Sequence, residues 1–359
     1  MNRLDHLRGL LACLNGEMPE SSDWTGIIQI ANHALCTPMV ASRLQQAGVF
    51  SALPDDLQRF LREIQSRNAE RNRRLLEQLD EAAAHLNAIG VQPALLKGTA
   101  WLASVDAAQR PDRLITDLDL MVPARDFGRA VEQLTCAGYR LDTQLVRPGI
   151  PVVLLRPEDA GTVDLHGEYG GATTLRFCHD DVAADGSLRH LGRGGVILPS
   201  PVASMAILLL HDQLKGRDYL RGRIDLRHLL DMQALAAGFG DAEWERLERL
   251  FATGYARAAA RTQLLTAYRL LKMEVPGSVV RDRRARLQYW RRLMQIRWPR
   301  IALPLTMLSL LDPQYLAARR SWKRAEAGLP SGGDRKARAW LPRRASVARL
   351  LSWKEVGKI

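Results

Sequence analysis

Cysteine is scarce. Cys13, Cys36, Cys136 and Cys178 are the only four in 359 residues. No two form a C-x-x-C pair, so the sequence offers neither a disulfide framework nor a zinc knuckle, and reduced thiols are expected. Long apolar runs are missing too. None reaches the ~18 residues that a membrane-spanning helix needs. The opening stretch MNRLDHLRGLLACLNGEMPE scatters its charges and has no small-residue cleavage site. It reads as the start of a folded helix and not as a signal peptide, which gives a cytoplasmic expectation. No internal repeat is evident, which removes repeat architectures.

What is present supports a folded chain. Hydrophobic residues make up 47% and charged residues 25%, enough for a sizeable core and too apolar for global disorder. The length suits about two domains. The net charge of +12 is uneven: residues 281–359 carry 20 Lys/Arg against 5 Asp/Glu, so the rest is slightly acidic. Five of the eight tryptophans, Trp290, Trp298, Trp322, Trp340 and Trp353, fall in the same basic region.

Texture changes along the chain. Residues 1–90 read as helical, with a long, partly solvated helix from Pro54 to Gly90. Between 91 and 200 short strands and helices alternate: VQPALL, then a break at Gly98; LITDLDLMV, closed by Pro123; a helix capped by Gly138; and the strands IPVVLLR and GTVDLHGEY. That mixture predicts an α/β or α+β unit. Residues 201–280 return to helical stripes, and 281–359 form a basic, Trp-rich region with a loop expected at 327–338.

Residues 113–122, RLITDLDLMV, place two aspartates inside an apolar run. In a strand, residues two apart share a face, so Asp117 and Asp119 project together while Leu118 and Leu120 face the core. Adjacent carboxylates repel unless a cation sits between them. Hard oxygen ligands favour magnesium, which binds through one or two carboxylates plus substrate phosphates. Asp164, in TVDLHG, offers a third carboxylate on a later strand, with His166 on the same face. If the strands are neighbours, Asp117, Asp119 and Asp164 form a cluster suited to clamping an in-line phosphoryl displacement. Upstream, Gly98 follows a strand and opens a helix, an anion site to which Lys97 adds charge and Thr99 a hydroxyl.

Strand, Gly-hydroxyl turn, helix, Asp-x-Asp strand and a later strand Asp: this order resembles the polymerase-β type of nucleotidyltransferase. Within that superfamily the chain is most similar to the bacterial uncharacterised nucleotidyltransferase family, through LLKGTAW, RLITDLDLMV with Arg113, VDLHGEY, and LLLHDQLKGRDYLRGRIDLRHLLDM, which holds His211, Lys215 and Asp231. The resemblance covers roughly residues 50–260. It implies an α+β fold, a polymerase-β-like mixed sheet with helices embedded between N- and C-terminal helical regions. It divides the chain into a helical region (1–90), a nucleotidyltransferase core (91–200), a helical domain completing the cleft (201–280) and basic C-terminal helices (281–359).

The resemblance further implies that Asp117 and Asp119 bind Mg2+, with Mn2+ as a substitute. Asp164 would hold a second metal or deprotonate the acceptor. Lys97, Gly98, Thr99, Arg113 and Lys215 would contact the phosphates of an NTP, ATP first among them. The acceptor would be a small molecule, saccharide, peptide or protein. Plainer readings stand beside these. Arg113 could pair with Asp117 or Asp119 as a structural ion pair. His166 and His211 could be satisfied core histidines.

Other functions compete. The same site could transfer a phosphoryl group, as a kinase does. The doublets His179-Asp180 and His211-Asp212 occur in helical metal phosphohydrolases. The basic Trp-rich C-terminus could bind a membrane periphery, nucleic acid or an acidic partner without catalysis, or be a solvated tail.

Overall fold

The helices of the first 90 residues begin where side chains satisfy free backbone N–H groups. Asn2 and Asp5 cap α1 (Arg3–Leu14), and Asp23 caps α2 (Trp24–His33); α3 (Thr37–Gln46) follows. The long helix expected after Pro54 is α4 (Asp55–Ala88). The computed structural model describes residues 2–20, 23–142, 151–170, 175–327 and 357–359.

The polar middle of α4 is only partly a solvated face. Asn68, Asn72 and Gln78 are buried. The Asn68 amide donates to the carbonyls of Pro111 and Arg113, and the Asn72 amide to those of Arg110 and Arg113. Gln78 donates to the Gly161 carbonyl. These bonds fix the two segments that feed the acidic strands, so side chains that look like surface in the sequence position the site.

The core alternates as expected. It comprises β1 (Ala94–Leu95), α5 (Lys97–Ser104), β2 (Asp117–Met121), α6 (Phe127–Cys136), β3 (Arg140–Leu141), β4 (Val152–Leu155) and β5 (Thr162–His166). Then come β6 (Glu168–Tyr169), β7 (Phe177–Cys178), α7 (His179–Ala183), β8 (Ser187–His190) and β9 (Gly195–Leu198). Seven strands form one mixed sheet in the order β3-β4-β5-β2-β1-β9-β8. β2 runs parallel to β5 and antiparallel to β1.

Period-2 alternation splits the core in two. Leu95, Leu118, Leu120, Val163 and Leu165 pack with α4 and α6. Ala94, Leu96 and Met121 join the larger apolar cluster on the other side. That cluster gathers α1–α3 with the helices that follow the sheet: α8 (Pro201–Leu209), a π-helical segment (Leu210–Lys215), α9 (Asp218–Arg221), α10 (Leu226–Ala236), α11 (Asp241–Leu250) and α12 (Gly254–Leu271). The helices of 1–50 and 201–280 therefore share one core. The chain continues through α13 (Gly277–Val280), α14 (Arg283–Arg297), α15 (Ala302–Ser309) and α16 (Pro313–Ala327). The loop expected at 327–338 and the tail beyond it lie outside the described residues, apart from Ala327, which ends α16, and residues 357–359.

Candidate active site

β2 and β5 are neighbours, in a register that sets Asp119 directly opposite Asp164 and Asp117 opposite Thr162. Carboxylate oxygens of Asp117, Asp119 and Asp164 lie within 4.8 Å of one another. Asp117 and Asp164 are half-buried and Asp119 is buried.

The three differ in what compensates them. Lys97 Nζ pairs with Asp119 Oδ1 at 2.7 Å, and His166 Nε2 approaches the same oxygen at 3.1 Å. Burial disfavours the Asp119 charge, yet Lys97 and His166 hold its pKa below the usual carboxylate range. Among the described residues, Lys97 pairs with neither Asp117 nor Asp164. Asp117 accepts a hydrogen bond from the Thr116 hydroxyl at 2.8 Å. Among the described residues Asp164 has no ion-pair partner. Burial, then the charges of Asp119 and Asp117, push its pKa up to about 6.

The turn into α5 supplies Lys97. Its φ of +48° lies in the left-handed region, a strained conformation for a lysine that the flanking strand and helix enforce. Burial works against its charge, but Asp119 more than offsets this and raises the Lys97 pKa. Thr99 is fully buried, and its hydroxyl accepts the Asp119 backbone N–H at 2.7 Å. It ties α5 to β2.

Gly98 has a packing reason. A Cβ there would overlap Nη1 of Arg113. Arg113 pairs with neither Asp117 nor Asp119. Its Nε and Nη2 donate to the two oxygens of Asp231 at 2.8 and 2.7 Å, a buried bidentate pair. The two family-motif residues thus lock the sheet segment to α10, and the Arg113 fork is already engaged.

Lys215 reaches the site from the helical side. It ends the π-helical segment, a geometry that often marks function. Its ammonium lies 4.5 Å from the centre of the Tyr169 ring. The residue is exposed, yet burial of its charge, then the Lys97 charge, lower its pKa. Tyr169 in turn hydrogen-bonds His211 Nδ1 at 2.7 Å.

The helical side holds a second acidic cluster that the sequence reading missed. Asp212, Asp218 and Asp225 are buried, and Lys358 places its ammonium among them, 3.0 Å from Asp212 and 3.7 Å from Asp225 and bonded to Asp218. His228 Nδ1 lies 2.8 Å from Asp212. Backbone bonds between Ile359 and Ile224, in both directions, hold Lys358 in place. His211 and Asp212 therefore engage different partners, Tyr169 and the Lys358–His228 pair.

No curated protein matches the chain. Among solved structures, the solution structure of the antibiotic-resistance factor ANT(2'')-Ia matches with a TM-score of 0.35 and 15% identity, over 56% of this chain and 98% of that one. The model of one family, described as "uncharacterised nucleotidyltransferase", matches residues 20–272, a span that contains the whole acidic cluster and both lysines beside it. The chain belongs to that nucleotidyltransferase family.

Proposed function

We propose that the protein is a Mg2+-dependent enzyme that transfers a nucleotidyl group from an NTP, with ATP the first candidate, to an acceptor hydroxyl. The acceptor oxygen forms a bond to the α-phosphorus, the bond to pyrophosphate breaks, and the hydroxyl proton leaves to a base. The observation that supports this most is the register across β2 and β5, which gathers three carboxylates from distant parts of the chain.

The donor set fits a divalent cation. All three groups are hard oxygen donors within 4.8 Å, and three carboxylates this close are unfavourable without positive charge among them. Lys97 and His166 use Oδ1 of Asp119, so its other oxygen is the one to coordinate. Bound there, Mg2+ would neutralise the phosphates and polarise the reacting phosphorus; Mn2+ would serve in its place.

The chain's own groups do the rest. Asp164 would either hold the second metal or, where it does not, take the acceptor's proton, its pKa pushed up to about 6 without metal. Lys215, exposed beside the Tyr169 ring, would contact the phosphates. Lys97 holds Asp119 ionised and adds charge beside the turn of Gly98. Thr99 and Arg113 act through position, since one is wholly buried and the other is committed to Asp231. The acceptor is a small molecule, saccharide, peptide or protein carrying a hydroxyl.

Incubation with Mg2+ and ATP labelled at the α or γ position, across an acceptor panel, tests the reading. Transfer of the α label that disappears in Asp117→Asn supports it. Transfer of the γ label would make the enzyme a phosphoryl transferase. Absence of transfer from every NTP would count against both.

A further inference from the structure

Twelve large apolar side chains are exposed among the described residues, and eight of them fall between Leu287 and Leu311. α14 presents Leu287, Trp290 and Met294, spaced by three and four residues and so on one face. Trp298 follows at its end. α15 presents Leu303, Met307 and Leu308, and Leu311 continues the row one turn on. The opposite faces are inward: Arg292, Gln295 and Ile296 of α14, and Ala302 and Thr306 of α15, are buried.

Charge on the exposed side has one sign. Arg283, Arg286, Arg297, Arg300, Arg319 and Arg320 are exposed, and none has an ion-pair partner among the described residues. The two carboxylates of this stretch are half-buried and occupied. Asp282 caps α14 and pairs with Arg261, and Asp312 pairs with Arg284. No exposed acid interrupts the described surface from 283 to 320.

We propose that this face docks on the surface of an anionic lipid bilayer, the tryptophans and leucines entering the headgroup boundary and the arginines meeting lipid phosphates. Among the described residues no single helix is long and apolar enough to cross a membrane. Only the pair Pro299–Ser309 and Pro313–Arg320 passes together, bent by 57°. Complementarity selects this occupant over the alternatives. A second copy docking through the same patch would set six arginines against six. Residues 328–356 carry seven Lys/Arg against two Asp/Glu, so they repel the patch as well. A nucleic acid would meet the arginines but leave eight apolar side chains unsatisfied. The proposal is independent of the transferase reading, and its test uses no activity.

Full-length protein is sedimented with vesicles of phosphatidylcholine alone or containing phosphatidylglycerol, at low salt. Binding is expected to the anionic vesicles, to be at least tenfold weaker on neutral ones, and to fall as added salt shortens the screening length. Leu287→Ser/Trp290→Ser/Leu308→Ser and Arg297→Gln/Arg300→Gln should each weaken it about tenfold or more while leaving the melting temperature unchanged. Failure to bind anionic vesicles overturns the proposal. So does equal binding by both variants, a dimer that the apolar variant disrupts, or nucleic-acid binding lost in the arginine variant when vesicles are ignored.

Discussion

Two clusters of three aspartates, one on β2 and β5 and one in the helices that follow the sheet, are compensated differently. Asp212, Asp218 and Asp225 surround the Lys358 ammonium, with His228 beside Asp212. Every carboxylate there faces a cation that the chain itself supplies. Asp117, Asp119 and Asp164 are compensated less fully: among the described residues Lys97 forms a close ion pair with Asp119 only, and Asp164, although it feels the Lys97 charge, has its pKa pushed up to about 6. Acidic clusters alone do not announce a ligand. On the proposed reading, the cluster with the smaller internal counter-charge is the one that would receive a cation from outside.

The largest effect that sharpens this contrast is on transfer. Asp117 carries no ion pair among the described residues, so Asp117→Asn leaves the fold intact. It should lower α-label transfer by roughly 1,000-fold, the scale of losing an electrostatic contact made in the transition state. A variant that retains full rate would place the chemistry elsewhere.

The next effect is on stability. Lys358→Met removes the counter-charge of three buried carboxylates and should cost about 3–5 kcal/mol, the range for stranding a buried charge. Denaturant unfolding checks it. A loss below roughly 1 kcal/mol would mean that the second cluster is not held by its lysine.

Smaller again is the response to metal and pH. Folding raises the Asp164 pKa above its unfolded value. The protonated acid is therefore favoured in the fold, and without metal this group's stabilisation is lost as pH rises towards about 6. Mg2+ needs the ionised form, so the sign reverses when it binds. Added Mg2+ should raise the melting temperature more at pH 7.5 than at pH 5, by up to about 2.7 kcal/mol of stability at a hundredfold excess over its dissociation constant. Asp164→Asn should remove most of that gain, whereas Lys358→Arg should keep it.

The smallest effect is steric. In Gly98→Ala the new methyl overlaps the Arg113 guanidinium and disturbs its pair with Asp231, at a cost of about 1–3 kcal/mol. The double variant Gly98→Ala/Arg113→Ala would recover less than additive loss if the two are coupled as described.

The acidic strand was legible because its signal is local. Two aspartates alternating with buried leucines imply a shared face, and TVDLHG supplied the partner strand. Its family motifs named the lysines and the glycine turn. The rest depended on contacts far apart in sequence. Arg113 finds Asp231 118 positions away, and Lys358 finds Asp212 146 positions away, from within a basic tail that offers many equivalent lysines and arginines. Asn68 and Asn72 looked solvated because only the fold brings the carbonyls of 110–113 against them. β1 and β6, two residues each, are too short for any periodicity to mark their ends.

Crystals grown with Mn2+ and a non-hydrolysable ATP analogue test the central claim most directly, through the anomalous signal of the metal. Mn2+ is expected between Asp117, Asp119 and Asp164 with nucleotide phosphates completing its shell, and no metal among Asp212, Asp218 and Asp225. Metal at the Lys358 cluster, or a nucleotide bound away from β2 and β5, would contradict it.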